Sequence, residues 1–355
     1  MIPISIVSGG MEIQGFSSSM LTKNMESIAG YFSLSFMDKR SLGSRPLDIP
    51  FGDDVVEIYI GGRRRLRGYL EVVAPTKQPE GREITLAGRE LTCDLVDCTI
   101  EKLRTVNGTL QVALREITRD FPLIEYNVLS DVAGAQVSTR IQPGESHWKT
   151  MERLSRKAGA LLWTSGDGRV NIGMARADKI DLVLDERVIA AGAAGTYSAA
   201  EIFTRYVVRG EDEPQESLGW GTNARSKFVH ESDFLKRRRT LCIRGESTQS
   251  RADTKKRAIW EANIRIARGI KATIPLRGLS LEALDLIDCN RIVRVKDASL
   301  GLDRDMLISG YTIAGNARTG LTATIEVTLP GAFAAEPLTT AELKKEIGKQ
   351  LQINW

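Results

Sequence analysis

The chain has 355 residues, 42% hydrophobic and 26% charged, and its 49 basic and 45 acidic side chains leave a net charge of +4. That is the composition of a globular protein of roughly two to four domains; no apolar run reaches the ~18 residues of a membrane helix, and residues 2–7 read as a short strand, not a signal peptide. Four cysteines without a Cys-x-x-Cys pair, and only two histidines, exclude a zinc site of ordinary spacing and point to free thiols in a protein made in the cytoplasm.

The first hundred residues read as β. Strands are predicted at 13–16 and 31–36 around a Ser-rich turn, with Phe32, Leu34 and Phe36 alternating with Ser33 and Ser35. A strand at 55–60 places Val56, Ile58 and Ile60 on one face. Strands at 66–73 and 82–87 follow, separated by a turn from Ala74 to Gly81 that is rich in Pro, Gly and charge. Residues 88–99 are expected to close the domain as a turn and a short mixed segment.

From Asn107 the period becomes helical. Leu110, Leu114, Ile117 and Phe121 form one apolar stripe that Pro122 ends. A second helix is predicted over 147–157, with Trp148, Met151, Leu154 and Ala158 inward, Ser146 as cap and Gly159 as stop. A hairpin of 160–164 and 169–174 turns at Gly166-Asp167-Gly168. His147 belongs to the first turn of its helix, and His230 to the start of a polar loop.

A strand is predicted at 202–210, then a polar loop over 211–227 with Pro214 and, at its centre, Trp220, an aromatic suited to partner binding. The longest helix covers 250–268, with Ser250 and Asp253 as a capping box and Gly269 beyond its end. Ile259, Trp260, Ala262, Ile264, Ile266 and Ala267 spread over so wide an arc that burial on more than one side, or at a subunit contact, is expected. Strands at 291–296, 306–314 and 321–329 follow. In the last, Leu321, Ala323, Ile325, Val327 and Leu329 alternate with Thr322, Thr324, Glu326 and Thr328, the period of a half-buried antiparallel strand. The Gly- and Asn-bearing turn 315–320 makes a hairpin of the last two. Residues 339–355 form an amphipathic tail with Leu343, Ile347 and Leu351 on one face.

The strand triplets 55–87 and 291–329 echo each other, and both middle strands carry a Gly-Tyr step, Gly68-Tyr69 and Gly310-Tyr311, where a lone Gly marks a bulge. The expected fold is mainly β with α+β insertions: two similar antiparallel β-barrel domains related by internal duplication, plus a small α+β module. The boundaries are 1–99, 100–180 and 181–335, with a tail at 336–355. Two arginine-rich runs, Arg63-Arg64-Arg65-Leu66-Arg67 and Lys236-Arg237-Arg238-Arg239, have no interleaved aromatics and read as solvated surface. No phosphate-loop, dinucleotide, zinc-protease or nucleophile-elbow motif occurs. The pairs Asp94/Asp97 and Asp53/Asp54 fit turn and cap chemistry better than catalysis.

Gly88-Arg89 followed by Asp94-Leu95-Val96-Asp97-Cys98 resembles the segment that closes the first barrel of tail hub proteins in Mu-like contractile-tailed phages. Residues 25–34, 257–265, 306–311 and 324–330 resemble further segments of the same family in the same order. The wider family is the baseplate hub and late-control-protein-D group, related to the hub part of type VI secretion spike proteins. The resemblance implies a homotrimer with two barrels per subunit, a pseudo-six-fold ring joining a six-fold tail tube to a three-fold central spike.

It further implies a virion baseplate protein assembled in the host cytoplasm, without catalysis, cofactor, metal, membrane insertion or specific nucleic acid. Its partners are the tube protein, the spike protein and other baseplate proteins. No repeated strand array follows Pro330, so the spike is expected to be a separate chain. Candidate interface residues are Gly68, Tyr69, Gly310, Tyr311, Trp220, Trp260, Arg63, Arg64 and Arg65. The alternatives are a cell-wall-degrading tail enzyme and a nucleic-acid binder that uses the arginine-rich loops.

Overall fold

The computed structural model describes residues 3–38, 52, 54–79, 81–173, 178–211, 227–247, 251–316 and 320–333. The chain forms two compact units, one of residues 1–193, 273–297 and 303–327, the other of 194–272, 298–302 and 328–355. Trp220, Ser250, most of the 211–227 loop and the 339–355 tail lie outside the described residues.

The first unit begins with β1 (Ile4–Ser8), β2 (Met11–Gln14), β3 (Ser18–Asn24) and β4 (Ser27–Asp38). β3 lies where the Ser-rich turn is predicted. Its serines have little strand preference of their own, but β4 pairs along one edge and a strand some 290 positions away along the other. Two ladders outweigh local propensity. β5 (Val55–Ile60), β6 (Arg63–Gln78) and β7 (Gly81–Glu90) form a meander. The predicted turn at 74–81 is thereby corrected, because β6 stays paired with β7 to Gln78 opposite Gly81. Pro75 is tolerated because β5 ends opposite Tyr69 and, among the described residues, no strand pairs with that edge of β6 past Leu70, so the missing N–H breaks no ladder bond there. After β7 the predicted mixed segment is a helical turn, α1 (Cys93–Asp97).

The middle module contains β8 (Arg104–Thr109), α2 (Leu110–Ile117), β9 (Tyr126–Val128), α3 (Ser130–Ala133), β10 (Gln136–Ile141), α4 (His147–Lys157), β11 (Leu161–Thr164) and β12 (Val170–Gly173). Leu110, Leu114, Ile117, Met151 and Leu154 are in its core, as their spacing predicts. The Ser146 hydroxyl accepts from Lys149 N at the start of α4. α2 ends before Pro122, at Ile117; the Thr118 hydroxyl donates to Leu114 O at 2.8 Å and closes the last turn. β13 (Lys179–Leu184) follows.

The second unit holds β14 (Ala194–Tyr197), β15 (Arg205–Glu211), β16 (Lys227–Glu231), β17 (Thr240–Ser247) and α5 (Arg251–Arg268). β15 is central, antiparallel to β16 and parallel to β17. Tyr206 and Val208 of β15 pack on Ala258 and Ala262 of α5. Arg268 stacks on Phe333 on another side of the helix, which accounts for its wide apolar arc. His230 lies in strand β16, not in a loop, because Tyr206 is its cross-strand partner.

β18 (Ile270–Leu276) leads back to the first unit, which is completed by α6 (Leu281–Leu286), β19 (Ile292–Asp297), β20 (Leu302–Asn316) and most of β21 (Gly320–Thr328). The sheet runs in the order β18-β21-β20-β3-β4-β7-β6-β5-β1-β2, and β19 lies beside β20 and pairs with β13. The fold is mainly antiparallel β with α+β insertions. Both echoed triplets, β5-β6-β7 and β19-β20-β21, are meanders, and the β3-β4 hairpin joins them. In β21, Ala323, Ile325 and Val327 are buried as the alternation predicts.

Candidate functional site

The two Gly-Tyr steps mark the same event in the two meanders. On one edge of β6, β5 ends with Val56 opposite Gly68 and Val55 opposite Tyr69. On the other edge the pairing with β7 shifts register between Leu70 and Val72. The predicted bulge is there. A Cβ on Gly68 would lie 2.0 Å from Arg89 O, so only glycine fits. In the second meander Asn290 N donates to Ile308 O and Ile308 N to Arg291 O, and from Gly310 onward β3 replaces that partner along β20. The approach is looser, with Lys23 O 3.0 Å from the corresponding Cβ position on Gly310.

The tyrosines differ. Tyr69 is half-buried and hydrogen-bonded to Asp94; burial raises its phenol pKa, and the Asp94 charge adds to this. Tyr311 is 1% exposed. Burial, then the charge of Asp288, pushes its phenol well above the ordinary value, and its hydroxyl has no hydrogen-bond partner among the described residues.

Where β3 and β7 meet the β11-β12 turn lies a buried ion pair between Lys23 and Glu90, each about 1% exposed. Lys23 Nζ also donates to Ser165 O at 2.5 Å. The second Glu90 oxygen accepts from Gly30 N and from the Thr164 hydroxyl, each at 2.9 Å. Gly166 N of the same turn donates to Asp288 at 3.0 Å, and buried Arg65 donates to Leu284 O at 2.6 Å. Strands from the first meander, the middle-module turn and the segment before β19 therefore share one polar junction. Such a pair is stable because both oxygens are satisfied. Sequence gave no sign of it, since Lys23 sits in what reads as a turn.

The remaining predicted residues are placed as follows. Arg63 pairs with Asp285 at 2.5 Å and Arg64 with Glu57 at 2.7 Å. Arg239 donates to Ala199 O and Ala200 O and stacks on Phe203. Lys236, Arg237 and Arg238 are exposed. Trp260 is half-buried, with the Arg257 guanidinium 4.7 Å from its ring.

Asp97 is held below the usual carboxylate range by its hydrogen bond to Arg89, while burial raises Asp94. His147 Nδ1 lies 2.8 Å from Ile117 O, within the core. Among the described residues no cluster of His, Cys, Asp and Glu could hold a metal, and no helix is long and apolar enough to cross a membrane.

Beyond Tyr69, Gly52 N donates to Leu70 O at 3.1 Å, and past Leu70 no strand among the described residues pairs with that edge of β6. Val72, Ala74, Pro75, Thr76 and Lys77 are exposed along it. The matching stretch of β20, from Gly310 to Asn316, is filled by β3.

Residues 3–90 match the family domain described as Mu phage baseplate assembly protein GpP-like, N-terminal. Residues 92–174 match the second domain of baseplate hub protein gp44-like, and residues 250–336 the fourth domain of Mu phage baseplate assembly protein GpP. The baseplate hub protein gp44 of Escherichia phage Mu is 24% identical over 336 residues, 90% of this chain and 85% of that protein.

The crystal structure of the 43 kDa tail protein of prophage MuSo2 from Shewanella oneidensis has a TM-score of 0.79 at 26% identity, covering 94% of this chain and 99% of that one. A tail protein from Neisseria meningitidis has a TM-score of 0.80 at 18% identity, covering 95% and 99%. An Escherichia coli type VI secretion component shares the fold more distantly, with a TM-score of 0.58 at 11% identity over 94% and 79%.

Proposed function

The chain belongs to the baseplate hub family of Mu-like phage tails, and from that premise we propose that it acts as a non-enzymatic trimeric ring joining a six-fold tail tube to a three-fold spike. A three-fold object presents six similar positions only if each subunit supplies two. The observation that carries this reading is the pair of meanders within one sheet, with the edge of β20 filled by β3 and the equivalent edge of β6 without a strand partner past Leu70 among the described residues. In the ring, a strand of the next subunit completes β6. Equivalence designates β14, which neighbours β18 as β3 neighbours β4, and which is exposed along its length.

Ring closure removes the aggregation hazard of an open edge. The domains proposed are those of the sequence reading, 1–99, 100–180 and 181–335, with a tail at 336–355. Gly68 and Gly310 serve by setting strand geometry inside the subunit. Tyr69 lies where the β5 pairing of β6 stops, and Arg63 and Arg64 lie at the other end of β6, paired with β5; Arg65 and Tyr311 act from within, and Trp260 and Trp220 remain contact proposals for the spike, tube or other baseplate proteins. Assembly takes place in the host cytoplasm, on the spike or alone.

Sedimentation equilibrium of the purified protein, alone and with the spike, tests the ring. The expected species has three times the 39.1 kDa of one chain. A strict monomer at high concentration in both samples would overturn the proposal.

A further inference from the structure

β8 has one strand neighbour among the described residues, β10, and its other edge is unpaired. Beside that edge lies an open cleft of about 520 Å³. Residues 104–107 of β8 line it one after another. Successive strand side chains point to opposite faces, so what these residues share toward the cleft is the backbone edge. The facing wall is one side of α2, formed by Val112, Arg115 and Glu116, continued by Arg119 in the turn after it.

Two features of that wall are not explained by folding. Val112 is 56% exposed in the middle of it, although the opposite face of α2 is fully buried. Three arginines line the cleft against one glutamate, which Arg104 and Arg119 already share at 3.2 and 3.4 Å. Arg115 makes no ion pair among the described residues. The lining stretch of β8 also lacks the Pro or Lys that protects the open edge of β6.

We infer that this cleft binds an extended acidic peptide segment of another polypeptide, which adds to β8 as a further strand. The backbone edge supplies register and affinity; Val112 receives an apolar side chain, and Arg115 receives a carboxylate. An acidic occupant follows from the charge of the walls. A single-stranded nucleic acid is disfavoured because no aromatic side chain lines the cleft for base stacking. The inference does not rest on the hub reading.

A random displayed peptide library selected on the 355-residue chain tests it, with single-stranded oligonucleotides as a parallel probe. Enriched peptides are expected to carry alternate acidic and apolar residues, and Arg115→Glu or Val112→Asp to weaken them about tenfold or more. Both side chains are exposed, so these variants are expected to melt with the parent. Bound peptide is expected to slow hydrogen exchange at the β8 amides. Enrichment of neutral or basic peptides, no enrichment, binding indifferent to both substitutions, or oligonucleotide binding in place of peptide binding would each overturn the inference. Binding without β8 protection would reduce it to a charge contact and overturn strand addition.

Discussion

The two meanders share a strand pattern and a Gly-Tyr step, yet their edges meet different fates. Past Leu70, β6 has no strand partner on the edge that β5 leaves, among the described residues, and carries Pro75 and Lys77, residues that blunt an exposed edge. Beyond Ile308, β20 is covered by β3, and Tyr311 is closed off where Tyr69 remains half-exposed. Repeated sequence sets the strands, whereas the partner along the edge decides burial. The proposed ring takes its motive from this difference, since a second copy would fill the edge that β3 fills on β20.

The largest effect is expected at the seam between the meanders. Lys23→Ala or Glu90→Ala leaves a buried charge unpaired and is expected to cost about 3–5 kcal/mol in urea unfolding. The double replacement Lys23→Met with Glu90→Leu is expected to recover most of that loss. Equal, small costs for both single variants would mean that the seam is not closed by this pair.

Next come the two glycines. Gly68→Ala drives a methyl into Arg89 O and is expected to cost about 3 kcal/mol, against about 1 kcal/mol for Gly310→Ala, where the neighbours are 3.0 Å away or more. A reversed order would break the equivalence drawn between the steps. The tyrosines sharpen it further. Tyr69→Phe loses the bond to Asp94 and is expected to cost about 1 kcal/mol, whereas Tyr311→Phe removes a hydroxyl without a partner and is expected to be neutral or stabilising.

The smallest effect is a rate. Cys93 and Cys289 are buried, one near each Gly-Tyr step, while Cys98 and Cys242 are exposed. Burial pushes the Cys93 thiol up to about 12 and raises the Cys289 thiol well above its ordinary value. Thiol titration near neutral pH is expected to modify Cys98 and Cys242 first. Because the folded thiols hold their protons longer than the unfolded ones, stability is expected to fall as pH rises past the unfolded value of about 8.5. Rapid modification of Cys289 in native protein would contradict the closed edge of the second meander.

Much of this was legible in the sequence. The alternation in β21, the capped helix α4 and the hairpin at Gly166-Asp167-Gly168 are local signals, and each appears in place. β3 was hidden because its strand character comes from β4 and β20, not from Ser18 and Ser19. The ion pair of Lys23 with Glu90 was hidden for the same reason, as its members meet only through that pairing. The continuation of β6 past Pro75 was missed because a free edge makes proline harmless, and no edge can be seen in a sequence.

Hydrogen exchange at residues 71–78 in the purified trimer is the most direct test of the open edge. If a second copy completes β6, the amides of this segment that point away from β7 are expected to exchange slowly in the trimer and rapidly once it is diluted to monomer, with residues 194–197 changing in step. A trimer in which those amides exchange as fast as free peptide would contradict edge completion while leaving the hub assignment standing.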